Sequence, residues 1–184
     1  MRYRLNQPLD SLKATQRLAI AMVQEKWLQP GRCLGLDGPL GAGKTTLTQA
    51  IGKALDITEP VTSPTFGLLH RYLSGRFPLV QLDWYRLGEV PREDLLWELD
   101  EILQAGDTLV VMEWPCLVPG FVVDALTHYF TLSIKPSSET RQLTGYSLNA
   151  WSGRTKIVDD VSLTEKLSLS RLCNSSSASR ASGP

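Results

Sequence analysis

The stretch GPLGAGKTT, residues 38–46, constrains this chain of 184 residues more than any other part of its sequence. Residues 38–45 match G-x-x-x-x-G-K-[ST] at every fixed position, the pattern of a loop that binds phosphate. From average residue usage, a chain of this length would match by chance on the order of once in a few hundred cases. The apolar run CLGLD before the loop predicts a buried strand, and the residues from Lys44 to about Leu55 predict a helix. Strand, loop and helix in this order are the context that the motif requires, so we expect a nucleotide phosphate to bind here.

The loop residues have separate expected roles in holding that phosphate. The glycines let backbone N–H groups turn inward, and the start of the helix adds its partial positive charge. We expect Lys44 to reach the β- and γ-phosphate oxygens and the Thr45 hydroxyl to ligate Mg²⁺. The N/TKxD and DxxG elements typical of guanine-specific proteins are absent from the sequence, which favours ATP. The expected nucleotide contacts in this stretch are Gly38, Gly41, Ala42, Gly43, Lys44, Thr45 and Thr46.

Two carboxylates stand at the ends of apolar runs that predict buried strands. Asp83 ends PLVQLD and Glu113 follows LVVM. A carboxylate at such a strand end points into the phosphate crevice of this fold class, where it can hold Mg²⁺ or the attacking water. We therefore expect Asp83, Glu113 and Lys44 to be catalytic, and Thr45, Asp83 and Glu113 to be metal ligands. The alternative is that both acids are solvated loop residues.

The segment TSPTF, residues 62–66, places three hydroxyl groups around a proline. In nucleotide switches, such a segment carries a hydroxyl that senses the γ-phosphate and its metal. Thr65 is the expected nucleotide contact here, and an ordinary Ser/Thr/Pro turn is the alternative. His70 and His128 fall inside strand patterns, which favours a structural role for both.

The remaining periodicity predicts one α/β domain. An amphipathic helix is expected over Leu9–Trp27 with Asp10 or Ser11 near its N-cap, and another over 92–105. Strands are expected at 67–72, 78–83, 108–114 and 128–134. This alternation predicts a P-loop NTPase-type domain with a mostly parallel or mixed sheet flanked by helices, over residues 1–161. The Ser-rich segment 162–184 has few apolar residues, and we expect it to be a disordered tail.

Composition excludes several other classes of protein. Nineteen basic and nineteen acidic residues leave a formal net charge of zero, which gives no global attraction to nucleic acid or anionic lipid. Three cysteines without a CxxC pair fit neither a disulfide framework nor a zinc site. The N-terminal segment lacks a signal-peptide apolar core, and no run of 18 apolar residues occurs. We therefore expect a soluble, cytoplasmic protein that does not bind membranes.

Four motifs occur together in the order GPLGAGKTTL, VTSPTFGLLHRY, LDWYRL and VMEWP. With these motifs the chain resembles the TsaE (YjeE) family over about residues 9–145. The family comprises small bacterial ATPases required for threonylcarbamoyladenosine (t6A) modification of tRNA. The resemblance implies a P-loop ATPase of low intrinsic activity that uses ATP and Mg²⁺ and works with TsaD- and TsaB-type proteins. TsaD is the protein that transfers the threonylcarbamoyl group to adenosine. The resemblance therefore implies tRNA as an indirect partner and leaves direct contact with tRNA open.

The resemblance also assigns roles residue by residue. It implies phosphate binding by Gly38–Thr45, magnesium binding by Thr45, a switch-like segment at Thr62–Thr65, and acids near metal and water at Asp83 and Glu113. The sequence departs from the family at two positions of the third motif. The family usually has His and Leu where this chain has Gln81 and Trp84.

Two other functions remain open at this stage. A small-molecule kinase would need an acceptor-binding subdomain and an Arg-rich lid, whereas the arginines after the loop are scattered. A binding module in which ATP only orders a surface for a partner would bind ATP as well. Its assembly with the partner would be unchanged by a substitution that prevents hydrolysis.

Overall fold

A computed structural model describes residues 3–63, 69–87, 93–117, 122, 124–134 and 140–147. The strands and helices alternate along much of the chain, and short 3₁₀ turns follow two of the strands, at Trp84–Leu87 and Pro115–Leu117. In chain order the elements are β1 (Tyr3–Leu9), α1 (Leu12–Gln24), β2 (Cys33–Asp37), α2 (Lys44–Ala54), β3 (Leu69–Tyr72), β4 (Leu79–Asp83), α3 (Glu93–Ala105), β5 (Leu109–Glu113), β6 (His128–Ile134) and β7 (Arg141–Ser147).

One mixed sheet organises the domain, with strand order β1-β7-β6-β2-β5-β4-β3. The four central strands β6, β2, β5 and β4 run parallel, while β3, β7 and β1 join antiparallel at the two sides. Every residue of β2, β4 and β5 is buried. This explains why these strands are mainly apolar, with Gln81 as a polar residue inside β4, because a strand covered on both faces does not alternate with polar residues.

Helices cover both faces of the sheet. Buried side chains of α1 and α2, such as Met22 and Ile51, pack on one face against Leu34, Val111 and Phe130. Buried side chains of α3 pack on the other face against the alternate strand residues, as in the cluster of Leu95, Leu99, Ile102, Val110 and Met112. The α/β fold predicted from the sequence is therefore confirmed.

The first helix begins later than its apolar pattern predicts. Ser11 is the N-cap, since its hydroxyl accepts a hydrogen bond from the Ala14 N–H at 3.2 Å. Leu9, predicted as the start of the helix, is instead the last residue of β1 and is buried in the sheet. The helix ends at Gln24, before Trp27, and the buried Trp27 packs from the following turn.

Strands β1 and β7 were not predicted. They pair with each other over their full length, from Tyr3 opposite Ser147 to Leu9 opposite Arg141. Each contains residues that weaken a strand signal, such as Pro8 and Gly145. Gly145 is required by the close approach of β6, because a Cβ there would lie 2.2 Å from the Phe130 ring.

Other predictions lie outside the described residues, namely the Ser-rich tail at 162–184 and the domain boundary at 161. Within the described part of the chain, the helices are too short or too polar to cross a bilayer.

His128 packs inside the domain at the start of β6. Its ring stacks on the Trp27 ring, with centroids 5.8 Å apart, and its Nδ1 lies 2.9 Å from the Thr127 hydroxyl. Burial lowers the pKa of His128 to about 4, and the nearby Arg32 charge acts in the same direction. His128 is thus a neutral packing residue, in agreement with the structural role expected from its strand pattern.

We expect this burial to make the folded protein sensitive to acid. Above about pH 6.5 the ring is neutral in both states. As the pH falls from there towards 4, the unfolded chain binds a proton that the folded protein excludes, so the free energy of unfolding falls. At 1.36 kcal/mol per pKa unit the loss is on the order of 3 kcal/mol. In His128→Gln the loss should shrink, as measured by urea unfolding from neutral pH down to about pH 4.5.

His70→Gln, at a partly buried position of β3, is the matched control for the loss of a histidine. Equal pH dependence in wild type and His128→Gln would contradict the prediction.

Candidate functional site

The phosphate loop connects the end of β2 with the start of α2. Gly38 and Gly43 have φ values of +132° and +101°, which residues with a side chain rarely adopt. A Cβ on Gly38 would also lie 2.2 Å from the carbonyl oxygen of Leu132 on β6. Because Gly43 is the N-cap of α2 and carries no capping side chain, the first N–H groups of the helix remain available to an anion.

Lys44 is buried at the base of this loop. Its ammonium donates to the carbonyl oxygens of Gly38 at 2.7 Å and Pro39 at 3.0 Å, and lies 3.9 Å from the centre of the Trp114 ring. Burial lowers the pKa of Lys44, an effect opposed by the charges of Glu113, Asp37 and Asp83. The side chain thus lies beside the loop whose phosphate it is expected to bind.

Asp83 and Glu113 lie side by side because β4 and β5 are parallel and pair Asp83 directly with Glu113. Both side chains are buried. The two oxygens of Asp83 accept hydrogen bonds from the Ser63 hydroxyl and the Tyr85 N–H, both at 3.2 Å. The two oxygens of Glu113 accept from the Thr45 hydroxyl and from Nε2 of Gln81, both at 3.1 Å.

Glu113 is difficult to ionise in this position. Burial raises its pKa to about 7, and the neighbouring Asp83 charge acts in the same direction. The hydrogen bonds from Thr45 and Gln81 and the charge of Lys44 oppose this rise. A divalent cation beside the two carboxylates would remove the repulsion between them and favour the ionised form of Glu113.

A cavity of about 670 Å³ joins the loop to the acids. Of the residues predicted from the sequence, those that line it are Gly41, Gly43, Lys44, Thr45, Thr46, Asp83 and Glu113. Gly38 and Ala42 are buried loop residues that do not line it, and Gly38 instead contributes the carbonyl that receives Lys44. Thr65 lies outside the described residues.

Several residues of the site were not predicted from the sequence. Tyr85, Trp114 and Arg141 line the cavity, and Tyr85 and Trp114 are in ring contact at 5.0 Å. Trp114 directly follows Glu113 in the sequence, so its place next to this acid could have been predicted. Its backbone has a φ of +61°. Arg141 reaches the carbonyl oxygen of Gly41, which lies 100 positions away in the sequence. No local sequence pattern predicts a contact over such a separation.

The donor set fits Mg²⁺ bound with a nucleotide. Thr45, Asp83 and Glu113 offer one hydroxyl and two carboxylates, the oxygen donors that this ion prefers. Mg²⁺ usually takes one or two carboxylates and completes its octahedron with phosphate and water, for which the cavity leaves room. The residues present therefore fit the ion expected from the motif.

The sheet order, the loop between β2 and α2, and the acids at the ends of the neighbouring strands define a P-loop NTPase-type domain. Comparison with known proteins gives the family. Residues 9–143 match the model of "TsaE: Threonylcarbamoyl adenosine biosynthesis protein TsaE". The chain belongs to the TsaE family.

Curated relatives named tRNA threonylcarbamoyladenosine biosynthesis protein TsaE are similar to about half or more of this chain. The relative from Nostoc sp. is 43% identical over 108 residues, which cover 55% of this chain and 64% of that protein. The relative from Synechocystis sp. is 39% identical over 60% of this chain and 70% of its own length. The relative from Bacillus subtilis is 42% identical over 54% of this chain and 61% of its own length. The chain thus spans less than two thirds of the Nostoc and Bacillus proteins.

The fold also matches a solved structure. The crystal structure of Bacillus subtilis YdiB superposes with a TM-score of 0.60 and 27% sequence identity. The match covers 81% of this chain and 88% of that one.

The cost of placing two acids together leads to a prediction about stability. The pKa of Glu113 is raised in the folded protein, so folding favours the protonated side chain. The contribution of Glu113 to the free energy of unfolding is therefore fully present below about pH 4.5 and is lost as the pH rises through 7. We expect metal-free Glu113→Gln to be more stable than wild type at pH 8 by on the order of 1–3 kcal/mol. The gain should disappear at pH 5. Urea unfolding in EDTA measures the difference in stability at each of the two pH values.

Glu98→Gln is the control, because Glu98 is only partly buried and forms an ion pair with Arg71 at 2.8 Å. It should give no such gain at either pH. A Glu113→Gln protein that is less stable than wild type at pH 8 would show that the carboxylate is well accommodated without a cation.

Proposed function

We propose that this protein is an Mg²⁺-dependent ATPase that acts as a switch in t6A modification of tRNA. The observation that carries the proposal is the convergence of Lys44, Thr45, Asp83 and Glu113 on one cavity at the ends of β2, β4 and β5. Membership of the TsaE family supports the place in t6A biosynthesis. The absence of guanine-specific elements from the sequence supports ATP over GTP.

The residues divide the chemistry between binding and hydrolysis. The loop N–H groups and Lys44 would hold the phosphates. To do so, Lys44 would exchange its two carbonyl partners, Gly38 and Pro39, for phosphate oxygens. Thr45, Asp83 and Glu113 would hold Mg²⁺, which supplies charge neutralisation at the β- and γ-phosphates. The Asp83 and Glu113 carboxylates would orient the water that attacks the γ-phosphorus, releasing ADP and inorganic phosphate.

The proposed setting is a complex with TsaD- and TsaB-type proteins in the cytoplasm, with tRNA contacted through the partners. A switch needs low activity alone and faster turnover when assembled. The direct experiment measures ATP turnover of the purified chain with and without the partner pair and tRNA. Phosphorylation of a small acceptor by the chain alone would favour a kinase, and partner assembly indifferent to hydrolysis would favour a binding module.

We expect Lys44→Ala and Thr45→Ala each to weaken productive Mg·ATP binding strongly. Each removes a charge-assisted or metal contact worth about 1.5–3 kcal/mol, or roughly ten- to a hundredfold in affinity. Calorimetry with Mg·ATP measures the loss. Lys53→Ala, at the exposed far end of α2, should bind ATP as wild type does. Unchanged affinity in both loop variants would exclude this loop as the nucleotide site.

We expect Glu113→Gln to separate binding from turnover. The amide keeps the size and hydrogen-bonding capacity of the side chain but loses its charge, so ATP should still bind while hydrolysis falls by a factor of about ten to a thousand. In a reconstituted t6A assay the variant should fail at repeated turnover, because the complex would remain in its ATP-bound form. Glu101→Gln, on the exposed side of α3, is the control. Wild-type hydrolysis by Glu113→Gln would remove Glu113 from the catalytic machinery.

A further inference from the structure

A continuous chain of hydrogen bonds connects the backbone at Thr62 with the Glu113 carboxylate. The Thr62 N–H donates to the Tyr72 hydroxyl at 3.3 Å. That hydroxyl donates to Oε1 of Gln81 at 3.2 Å. Nε2 of Gln81 then donates to Oε1 of Glu113 at 3.1 Å. The chain thus spans β3, β4 and β5 and ends on a residue of the proposed catalytic site.

The chemistry of the groups allows one order of donors and acceptors along this series of hydrogen bonds. Nε2 of Gln81 faces Glu113 and its Oε1 faces Tyr72. This orientation suits a Glu113 carboxylate that is ionised beside a bound cation, because an ionised carboxylate can only accept. The single hydroxyl proton of Tyr72 then goes to Gln81. The other acceptors near this hydroxyl, the Thr62 carbonyl oxygen and Nδ1 of His70, are each farther away at 3.4 Å. The oxygen of the hydroxyl remains free to accept from the Thr62 N–H.

Burial makes these contacts difficult to replace. Gln81 has no exposed surface, and Tyr72 and Glu113 are 4% and 2% exposed. A polar group that loses its partner at such a depth is not compensated by bulk water, and it costs more than the bond itself contributed. The orientation of Glu113 is therefore tied to the two side chains before it.

We propose that Tyr72 and Gln81 are positioning residues that transmit the position of the backbone at Thr62 to the carboxylate of Glu113. The proposal rests on the proposed function, in which Glu113 helps to orient the attacking water and the metal. Ser63, the next residue along, donates directly to Asp83 at 3.2 Å. Neighbouring positions of one segment are thus connected to the two carboxylates, and a displacement of this segment alters the geometry of both.

The kinetic test uses Tyr72→Phe and Gln81→Leu in the full chain with its partners. We expect kcat for ATP hydrolysis to fall by about tenfold in each, while the affinity for Mg·ATP changes by less than about twofold, because the phosphate loop is untouched. Gln81→His should restore most of the rate, since a neutral imidazole has one donor and one acceptor nitrogen. Gln7→Leu, a partly buried position on β1 at the opposite side of the sheet, is the matched control.

A second test measures the chain of contacts without ATP. Tyr72 and Glu113 are connected through Gln81, so the loss of unfolding free energy caused by Tyr72→Phe should be smaller in the Glu113→Ala background than in wild type. In the Gln81→Leu background the loss should be the same with and without Glu113→Ala. Urea unfolding of the eight combinations measures these differences.

The two tests separate this proposal from the proposed function. Wild-type kcat in both Tyr72→Phe and Gln81→Leu, or equal losses from Tyr72→Phe in every background, would overturn the positioning role. A parallel loss of rate and ATP affinity that Gln81→His does not restore would also overturn it, in favour of a general packing role. If the wild-type protein hydrolyses no ATP with its partners, the proposed function fails. The unfolding measurements still decide whether the series of hydrogen bonds through Tyr72 and Gln81 positions Glu113.

Discussion

The parallel pairing of β4 with β5 is the interaction on which the site depends. It brings Asp83 and Glu113 to the same level at the carboxyl ends of adjacent strands, and the pairing of β5 with β2 brings the phosphate loop beside them. In parallel sheets the carboxyl ends of the strands share one edge, where the ligand crevice forms. The cost of this arrangement is visible in the pKa of Glu113, which burial and the Asp83 charge raise to about 7.

The rest of the site compensates for two buried acids by donating a hydrogen bond to each of their four oxygens. Ser63 and the Tyr85 N–H satisfy Asp83, and Thr45 and Gln81 satisfy Glu113. Gln81 lies within β4, Tyr85 follows it directly, and Thr45 lies in the first turn of α2, so the central strands order these donors together with the acids. Lys44 adds the opposite charge from the loop side, although its own burial lowers its pKa. The site thus holds a hydroxyl, two carboxylates and an ammonium group, which the proposed function assigns to Mg²⁺ and the phosphates of ATP.

The sequence predicted most of the central elements and most of the site. The mainly apolar runs before Gly38, Asp83 and Glu113 predicted β2, β4 and β5, because strands buried on both faces do not alternate with polar residues. It did not predict β1 or β7, whose stability comes from pairing across the whole chain. The start of α1 was also placed too early, because the apolar Leu9 belongs to a strand that fits the same local pattern.

By itself the sequence determined the phosphate loop, the acids at the strand ends and the membership of the family, since each depends on short runs of adjacent residues that occur in a fixed order along the chain. Only the tertiary structure decided which donors meet those acids and which distant side chain reaches the loop. Gln81 contacts Glu113 across 32 positions and Arg141 contacts Gly41 across 100. Such contacts follow from strand order and register, which are determined by the packing of the whole domain and leave no periodic signal around either partner.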